Sequence, residues 1–167
     1  MTLRVEALDE HHDLTQVGSG NLQLDGWLQH SARHATAQGT RTYVLLDAAG
    51  VVVGYFSIAP HLLDRVDAPK RLGRGAPRQI PSILLAKLAL SESLGGQGLG
   101  AELLVCALTT ITDAARAAGG KVVIVDAIDS SAAAFYRHYD FEPLPNRADR
   151  LILKLSTVAR ALGTAWP

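Results

Sequence analysis

Apolar residues along this 167-residue chain recur with two different periods, and each change of period marks a new element. Residues 3–8, LRVEAL, alternate weakly, as a strand with one buried face does. Within residues 22–39, Leu24, Trp27, Leu28, Ala32 and Ala35 recur at helical spacing, and Gly39 supplies a stop. Residues 41–60 read as two strands joined by the turn DAAG. Residues 82–90, SILLAKLAL, are almost continuously apolar, which is the pattern of a central strand buried on both faces. A glycine-rich turn follows. After it, Leu99, Leu103, Ala107, Ile111, Ala114 and Ala118 form one helical stripe, which Gly119 and Gly120 end. Residues 121–127 read as a buried strand, and residues 130–139 as a short helix with Asp129 or Ser130 at its N-cap. Residues 149–156 read as a last strand, with a helical turn in the tail. No repeat or linker interrupts the pattern, so residues 1–167 are read as one domain. Residues 61–81 read as a loop, which is long for a compact domain and therefore a functional suspect.

Composition narrows the class. With 48 % hydrophobic and 19 % charged residues the chain can bury a core, so disorder is excluded. Sixteen basic and sixteen acidic residues cancel, so any affinity for nucleic acid must come from a local patch. The single cysteine, Cys106, excludes an intrachain disulfide and a cysteine-rich metal site. Its place on the apolar face of a helix reads as a small core residue, and no metal is expected. The start MTLRVEALDE has no apolar run after a basic cluster, and no apolar run reaches about 18 residues. A cytoplasmic protein without a membrane span is expected.

One local charge excess stands out. Between His61 and Leu88 lie Arg65, Lys70, Arg71, Arg74, Arg78 and Lys87, against Asp64 and Asp67. Such a stretch is either a solvated loop or a patch for RNA phosphates. Lys87 interrupts an apolar strand, where an unpaired buried ammonium is costly, so it is expected to emerge at a cleft that holds an anion. Arg33 and Arg41 are further candidates with less behind them.

The glycine turn holds Gly95, Gly96, Gly98 and Gly100. Glycine loses more backbone entropy on folding than any other residue. Either a tight turn needs it here or a ligand approaches the backbone closely. The first turn of the following helix leaves amides unpaired, and its dipole favours an anion. No Lys-Ser or Lys-Thr follows, so this is not a P-loop. The spacing lacks the third glycine of a dinucleotide fingerprint, and the turn follows roughly the fourth strand rather than the first.

The segment LALSESLGGQGLGAELL resembles the acetyl-CoA-binding segment of the GCN5-related N-acetyltransferases, whose pattern is (Gln or Arg)-x-x-Gly-x-(Gly or Ala) between the fourth strand and the third helix. Gly98 and Gly100 match its small positions. Gly95 stands where Gln or Arg is usual, so only the backbone part of the cradle carries over. Downstream, AAAFYRHYDFEPL resembles the family's A-x-x-F-Y-x-x-x-G-F segment, with Asp140 at the glycine position. Aspartate tolerates left-handed backbone better than most residues. The stretches VGSGNLQLDGWLQHSARHA, RTYVLLDAAGVVVGYFSIA and PRQIPSILLAKLAL are similar to one branch of that family. It comprises the toxins of bacterial toxin–antitoxin pairs that acetylate the amino group of aminoacyl-tRNA, and the likeness covers about residues 15–155.

The resemblance implies an α/β (α+β) fold: a central mixed, mostly antiparallel twisted sheet of six or seven strands, flanked by helices and splayed between strands four and five. It implies acetyl-CoA as cofactor, aminoacyl-tRNA as substrate, a ribbon-helix-helix antitoxin as partner and a homodimer. It places the cofactor against the main chain of Leu88, Ala89 and Leu90, against Gly95, Gly96, Gln97, Gly98, Leu99, Gly100 and Ala101, and beside Ser131, Phe135 and Tyr136. Tyr136 becomes the general acid. A phenol, with a pKa of about 10, is protonated at neutral pH and can donate to a departing thiolate. Taken alone, Tyr136 reads as an amphipathic core residue at a helix end, and the motif around it turns that reading toward the acid; His138 reads as a surface residue. An α-amine, with a pKa of about 8, is partly neutral without help, whereas a lysine amine near 10.4 needs a base. Residues 83–90 offer no carboxylate for that role, and Glu92 lies beyond their end, which favours an α-amine. Arg74, Arg78 and Lys87 are the RNA candidates. A transferase for a small amine, a peptide N-terminus or an antibiotic stays open, as does a non-catalytic acyl-CoA-binding module.

Overall fold

Apolar runs build the N-terminal strands of the computed structural model, which describes residues 3–167. Strand β1 (Arg4–Ala7), β2 (Arg41–Leu46) and β3 (Val52–Asp64) form an antiparallel meander, with Arg4 opposite Leu46 and Arg41 opposite Ile58. The turn between β2 and β3 is held by the Asp47 carboxylate, which accepts from the Ala49 and Val51 amides at 2.9 Å each. Strands β4 (Gln79–Leu90), β5 (Val122–Asp126), β6 (Glu142–Leu144) and β7 (Arg147–Lys154) complete a seven-stranded sheet in the order β1-β2-β3-β4-β5-β7-β6. β4 runs parallel to β5, from Ser82 opposite Val122 to Leu85 opposite Val125, while β5–β7 and β6–β7 are antiparallel. The sheet is the mixed, mostly antiparallel one that the resemblance implies.

The contacts fall into two units. The first comprises residues 3–59 with Ala86–Leu108. Its core joins Leu14, Val17, Leu24, Leu28, Val44, Val52, Tyr55 and Ala89. The helix expected over residues 22–39 is two helices, α1 (Leu22–His30) and α2 (Ala32–Ala37). Asn21 caps the first by accepting from the Leu24 amide at 3.0 Å. Ser31, at φ −126° and ψ −26°, leaves helical geometry, and Leu28 and Ala32 on either side of the break are both fully buried. Gly39 ends the pair at φ +99°.

The second unit comprises Pro60–Leu85 with Thr109–Pro167. Here the structure corrects the reading of residues 61–81 as a loop. β3 runs on to Asp64, a 3-10 turn spans Arg65–Asp67, helix α3 spans Lys70–Gly73, and β4 begins at Gln79. Leu63, Ala68, Leu72, Ala76 and Ile80 are buried against Val122, Ile124, Leu144 and Ile152, and their burial orders the segment despite its charge.

Helix α4 (Leu99–Ala118) matches the expected span, but the burial at its C-terminal end differs. Ala118 is exposed and Ala115 is buried instead. Ala118 is the last residue of the helix, and its exposure follows from that position. Helix α5 (Ser130–His138) is capped by Asp129, which accepts from the Ala132 amide at 2.7 Å. The tail holds a two-turn helix, α6 (Leu155–Leu162), closed by Gly163 at φ +71°. It starts where β7 ends, so the last strand is shorter than expected at its C-terminal end, and Leu155, Val158 and Ala159 supply the buried face. The three-residue β6 was not anticipated.

Candidate cofactor and catalytic site

The glycine turn is built on main-chain bonds. Past the end of β4, the Ser91 amide donates to the Val53 carbonyl and the Glu92 amide to the Gly18 carbonyl, each at 2.8 Å. The Ser91 hydroxyl accepts from the Gly18 amide at 3.3 Å. A 3-10 turn over Glu92–Leu94 follows, and the Gly95 amide donates to the Glu92 carbonyl at 2.8 Å. Gly96 and Gly98 then take left-handed backbone at φ +77° and +73°. A Cβ on either would meet nothing within 4 Å, so these glycines serve conformation and leave the turn open on that side. The first bond of α4 runs from the Glu102 amide to the Gly98 carbonyl at 3.4 Å. The amides of Leu99, Gly100 and Ala101 therefore have no acceptor within the helix. Open glycines leading into unpaired amides suit a diphosphate.

Gly95 differs from its neighbours. Its backbone, at φ −64° and ψ 152°, is open to any residue, but a Cβ would stand 3.1 Å from the Glu92 carbonyl oxygen. The sequence reading missed the support from residues 17–20. Gly20 sits at φ +86°, and a Cβ there would come within 2.2 Å of Glu92 Oε1. Ser19 is fixed by the buried Asp25 carboxylate, which accepts from its hydroxyl at 2.6 Å and from its amide at 3.1 Å.

On β4, Ala89 is buried and Leu88 and Leu90 are half-buried. Gly54 of β3 lies against them: its Cβ would be 2.9 Å from the Ala89 carbonyl oxygen. Lys87 is half-buried and makes no ion pair among the described residues. Its Nζ stands 5.2 Å from the centroid of the Trp27 ring, which stacks on Tyr55 at 6.0 Å. Burial first, and the Asp25 charge second, push the Tyr55 phenol above its ordinary pKa. Its hydroxyl donates to the Leu24 carbonyl at 2.7 Å.

Tyr136 lies on α5 in the second unit. Its ring is 6 % exposed and meets Phe135 and Phe141 edge-on at 5.3 and 5.5 Å. The hydroxyl makes no hydrogen bond among the described residues, yet no buried, unpartnered side-chain polar atom occurs among them. The ring is therefore buried while the oxygen keeps some accessible surface. Burial raises the pKa of this phenol. On the same helix Phe135 is half-buried and Ser131 is exposed. Asp140 adopts φ +71°, the left-handed backbone of the glycine it replaces. His138 is exposed, as expected, and Cys106 is half-buried, with burial raising its thiol pKa.

The basic candidates are divided between the two units. Arg74 and Arg78 are exposed in the second unit, and Lys87 belongs to the first. Arg33 donates to the carbonyls of Asp9 and His12, and Arg41 to those of Thr36 and Thr40, so both serve local structure. Among the described residues no group of three or more His, Cys, Asp or Glu side chains could hold a metal, and no helix is long and apolar enough to cross a membrane.

A glycine turn between a sheet strand and a long helix, a second strand parallel to the first, and a Phe-Tyr helix after it define the GCN5-related acetyltransferase class. No family model matches the chain. The tRNA-acetylating toxin of Mycobacterium tuberculosis (strain ATCC 25618 / H37Rv) is 35 % identical over 155 residues, 93 % of either chain. The chain belongs to this family of tRNA-acetylating toxins. AtaT complexed with acetyl-methionyl-tRNAfMet is similar in structure, with a TM-score of 0.87 at 27 % identity over 96 % of this chain and 99 % of that one. A Tyr-to-Phe mutant of the AtaT toxin bound to the C-terminus of the antitoxin AtaR and acetyl-CoA gives 0.81 at 26 % identity, over 96 % and 98 %.

Proposed function

We propose that the protein is an acetyl-CoA-dependent N-acetyltransferase that acetylates the α-amino group of aminoacyl-tRNA, a toxin that blocks translation. The observation that carries this reading is the open turn of Gly96 and Gly98 leading into the free amides of α4, in a chain of this family. Acetyl-CoA supplies an activated acetyl thioester. Main-chain groups of residues 95–101 hold its diphosphate, those of Leu88, Ala89 and Leu90 line its arm, and Ser131 and Phe135 flank it. The Tyr136 hydroxyl gives its proton to the departing sulfur as the new C–N bond replaces C–S, and it recovers a proton from solvent. The attacking α-amine uses its neutral fraction and loses its extra proton to water. Arg74, Arg78 and Lys87 meet tRNA phosphates. The chain acts as one acetyltransferase domain in the cytoplasm, as a homodimer, held in check by a ribbon-helix-helix antitoxin.

The test is incubation with acetyl-labelled cofactor and bulk aminoacyl-tRNA, beside small amines, peptide N-termini and antibiotics. Label in the tRNA fraction is expected. Label only in another acceptor would reassign the substrate, and binding without thioester cleavage on any acceptor would make the chain a non-catalytic acyl-CoA module.

A further inference from the structure

The second unit contains a cleft of about 220 Å³ lined by Arg71, Arg74, Lys121, Lys154, Ser156 and Trp166, among others. No carboxylate lines it. Arg71 pairs with Glu142. Arg74, Lys121 and Lys154 form no ion pair among the described residues. They come from three places in the chain: the end of α3, the residue before β5 and the end of β7. The Lys121 carbonyl accepts from the Leu155 amide at 3.0 Å, which ties the two lysine-bearing segments together. Three uncompensated cations repel one another, and a cleft focuses their field on whatever anion enters.

Trp166 is held there by a separate device. The Arg116 guanidinium donates to the Ala165 carbonyl at 2.9 and 3.2 Å and to the Thr164 hydroxyl at 3.2 Å, and it is itself anchored by Asp113 at 2.9 Å. This clamp fixes the tail beyond α6 and leaves the indole half-buried in the wall of a basic cleft. Cations that take phosphates beside an aromatic face that takes a base are the two components of single-stranded nucleic-acid binding. An acidic peptide would use the charges but has no need of the indole.

We infer that this cleft is an RNA contact: Arg74, Lys121 and Lys154 take backbone phosphates, and Trp166 stacks an unpaired base. The inference rests on the aminoacyl-tRNA reading and extends it to residues outside the catalytic motifs.

The test measures binding of fluorescent aminoacyl-tRNA to the full chain between about 50 and 200 mM salt, the range in which phosphate contacts weaken steeply. Lys121→Ala with Lys154→Ala should weaken binding by about tenfold or more and make the slope of log K against log salt shallower by roughly 1.4 to 1.8. Trp166→Ala should weaken binding with the slope unchanged, because stacking releases no counterions. Arg160→Ala, which removes an exposed charge from α6 outside the cleft, should behave like the parent. All four side chains are partly or fully exposed, and circular dichroism of each variant checks that it is folded. If the parent binds aminoacyl-tRNA and the double variant binds it within twofold and with the same slope, the inference fails. A double variant that keeps tRNA but loses a poly-glutamate probe assigns the cleft to an acidic peptide instead. If the parent binds no aminoacyl-tRNA, the functional reading falls first and this one with it.

Discussion

The ammonium of Lys87 stands over the indole of Trp27, 5.2 Å from the ring centroid, instead of opposite a carboxylate. A cation–π contact contributes about 0.5–1 kcal/mol when exposed and about 2 kcal/mol when desolvated, and this half-buried pair lies between the two, so it positions the ammonium without cancelling its charge. The charge remains available to an anion two residues from Ala89. Lys87→Met should therefore cost at most about 2 kcal/mol in urea denaturation. It should also raise KM for aminoacyl-tRNA several-fold, and Lys87→Arg should restore most of the loss. An unchanged KM in the methionine variant would remove Lys87 from the substrate site.

Tyr136→Phe isolates the proposed acid. The hydroxyl makes no hydrogen bond within the described fold, so its removal should leave the melting temperature and acetyl-CoA affinity close to the parent's. Turnover should fall by roughly 10²-fold or more, the usual contribution of a general acid. Burial raises the pKa of this phenol, so it stays protonated past its ordinary value of about 10. The rate should rise with pH through about 8 as the α-amine loses its proton, with no fall from the tyrosine before about pH 10. A phenylalanine variant as fast as the parent would end the assignment.

The glycines of the turn proposed to hold the cofactor divide by backbone angle. Gly98, at φ +73°, is left-handed, and a branched residue there costs about 1–2 kcal/mol and rearranges the turn. Gly98→Val should abolish acetyl-CoA binding in a calorimetric titration. Gly95 has ordinary backbone and only the Glu92 carbonyl at 3.1 Å to displace. Gly95→Gln should bind acetyl-CoA as well as the parent or more tightly. The opposite ranking would refute the backbone cradle.

This turn was legible in the sequence because left-handed backbone has a residue signature. Gly96 and Gly98 carry it, and Asp140, at φ +71°, shows how another residue substitutes. The strands were legible for the same local reason, since apolar alternation and apolar runs report burial directly. Residues 61–81 were not. Leu63, Ala68, Leu72, Ala76 and Ile80 are buried at steps of four or five, but prolines and arginines between them hide the pattern. The bond between Gly18 and Ser91, 73 positions apart, leaves no mark in any period, and neither does the Arg116 clamp that places Trp166.

His61 gives an acid-side prediction. Its Nε2 lies 3.2 Å from Arg150 Nη1, and Arg150 is fork-bonded to Asp126 at 2.7 and 2.8 Å. Burial first and the Arg150 charge second lower the histidine pKa, and Asp126 opposes them more weakly. The folded state thus resists a proton that the unfolded chain accepts below about pH 6.5. The stability from the neutral ring is present above that value and is lost as pH falls through the lowered folded value. His61→Gln should flatten the decline in melting temperature between pH 7 and 5. An equally steep decline in both proteins would place the acid sensitivity elsewhere.

Gly54 tests whether β3 sets the position of β4, the strand proposed to line the cofactor. A Cβ there would stand 2.9 Å from the Ala89 carbonyl oxygen, 3.3 Å from Leu90 Cδ1 and 3.5 Å from Leu45 Cδ2. The first of these is a backbone atom, so a side chain can be admitted only by moving β4 at the residues proposed to line the acetyl-CoA arm. Overpacking of this kind costs about 1–3 kcal/mol. Gly54→Ala should lower stability within that range, and the displaced strand should weaken acetyl-CoA binding beyond what partial unfolding explains. The two effects separate when affinity is measured well below the variant's own melting temperature. A variant that is destabilised but binds acetyl-CoA like the parent would show that β4 yields without disturbing the site, and that residues 88–90 do not hold the cofactor.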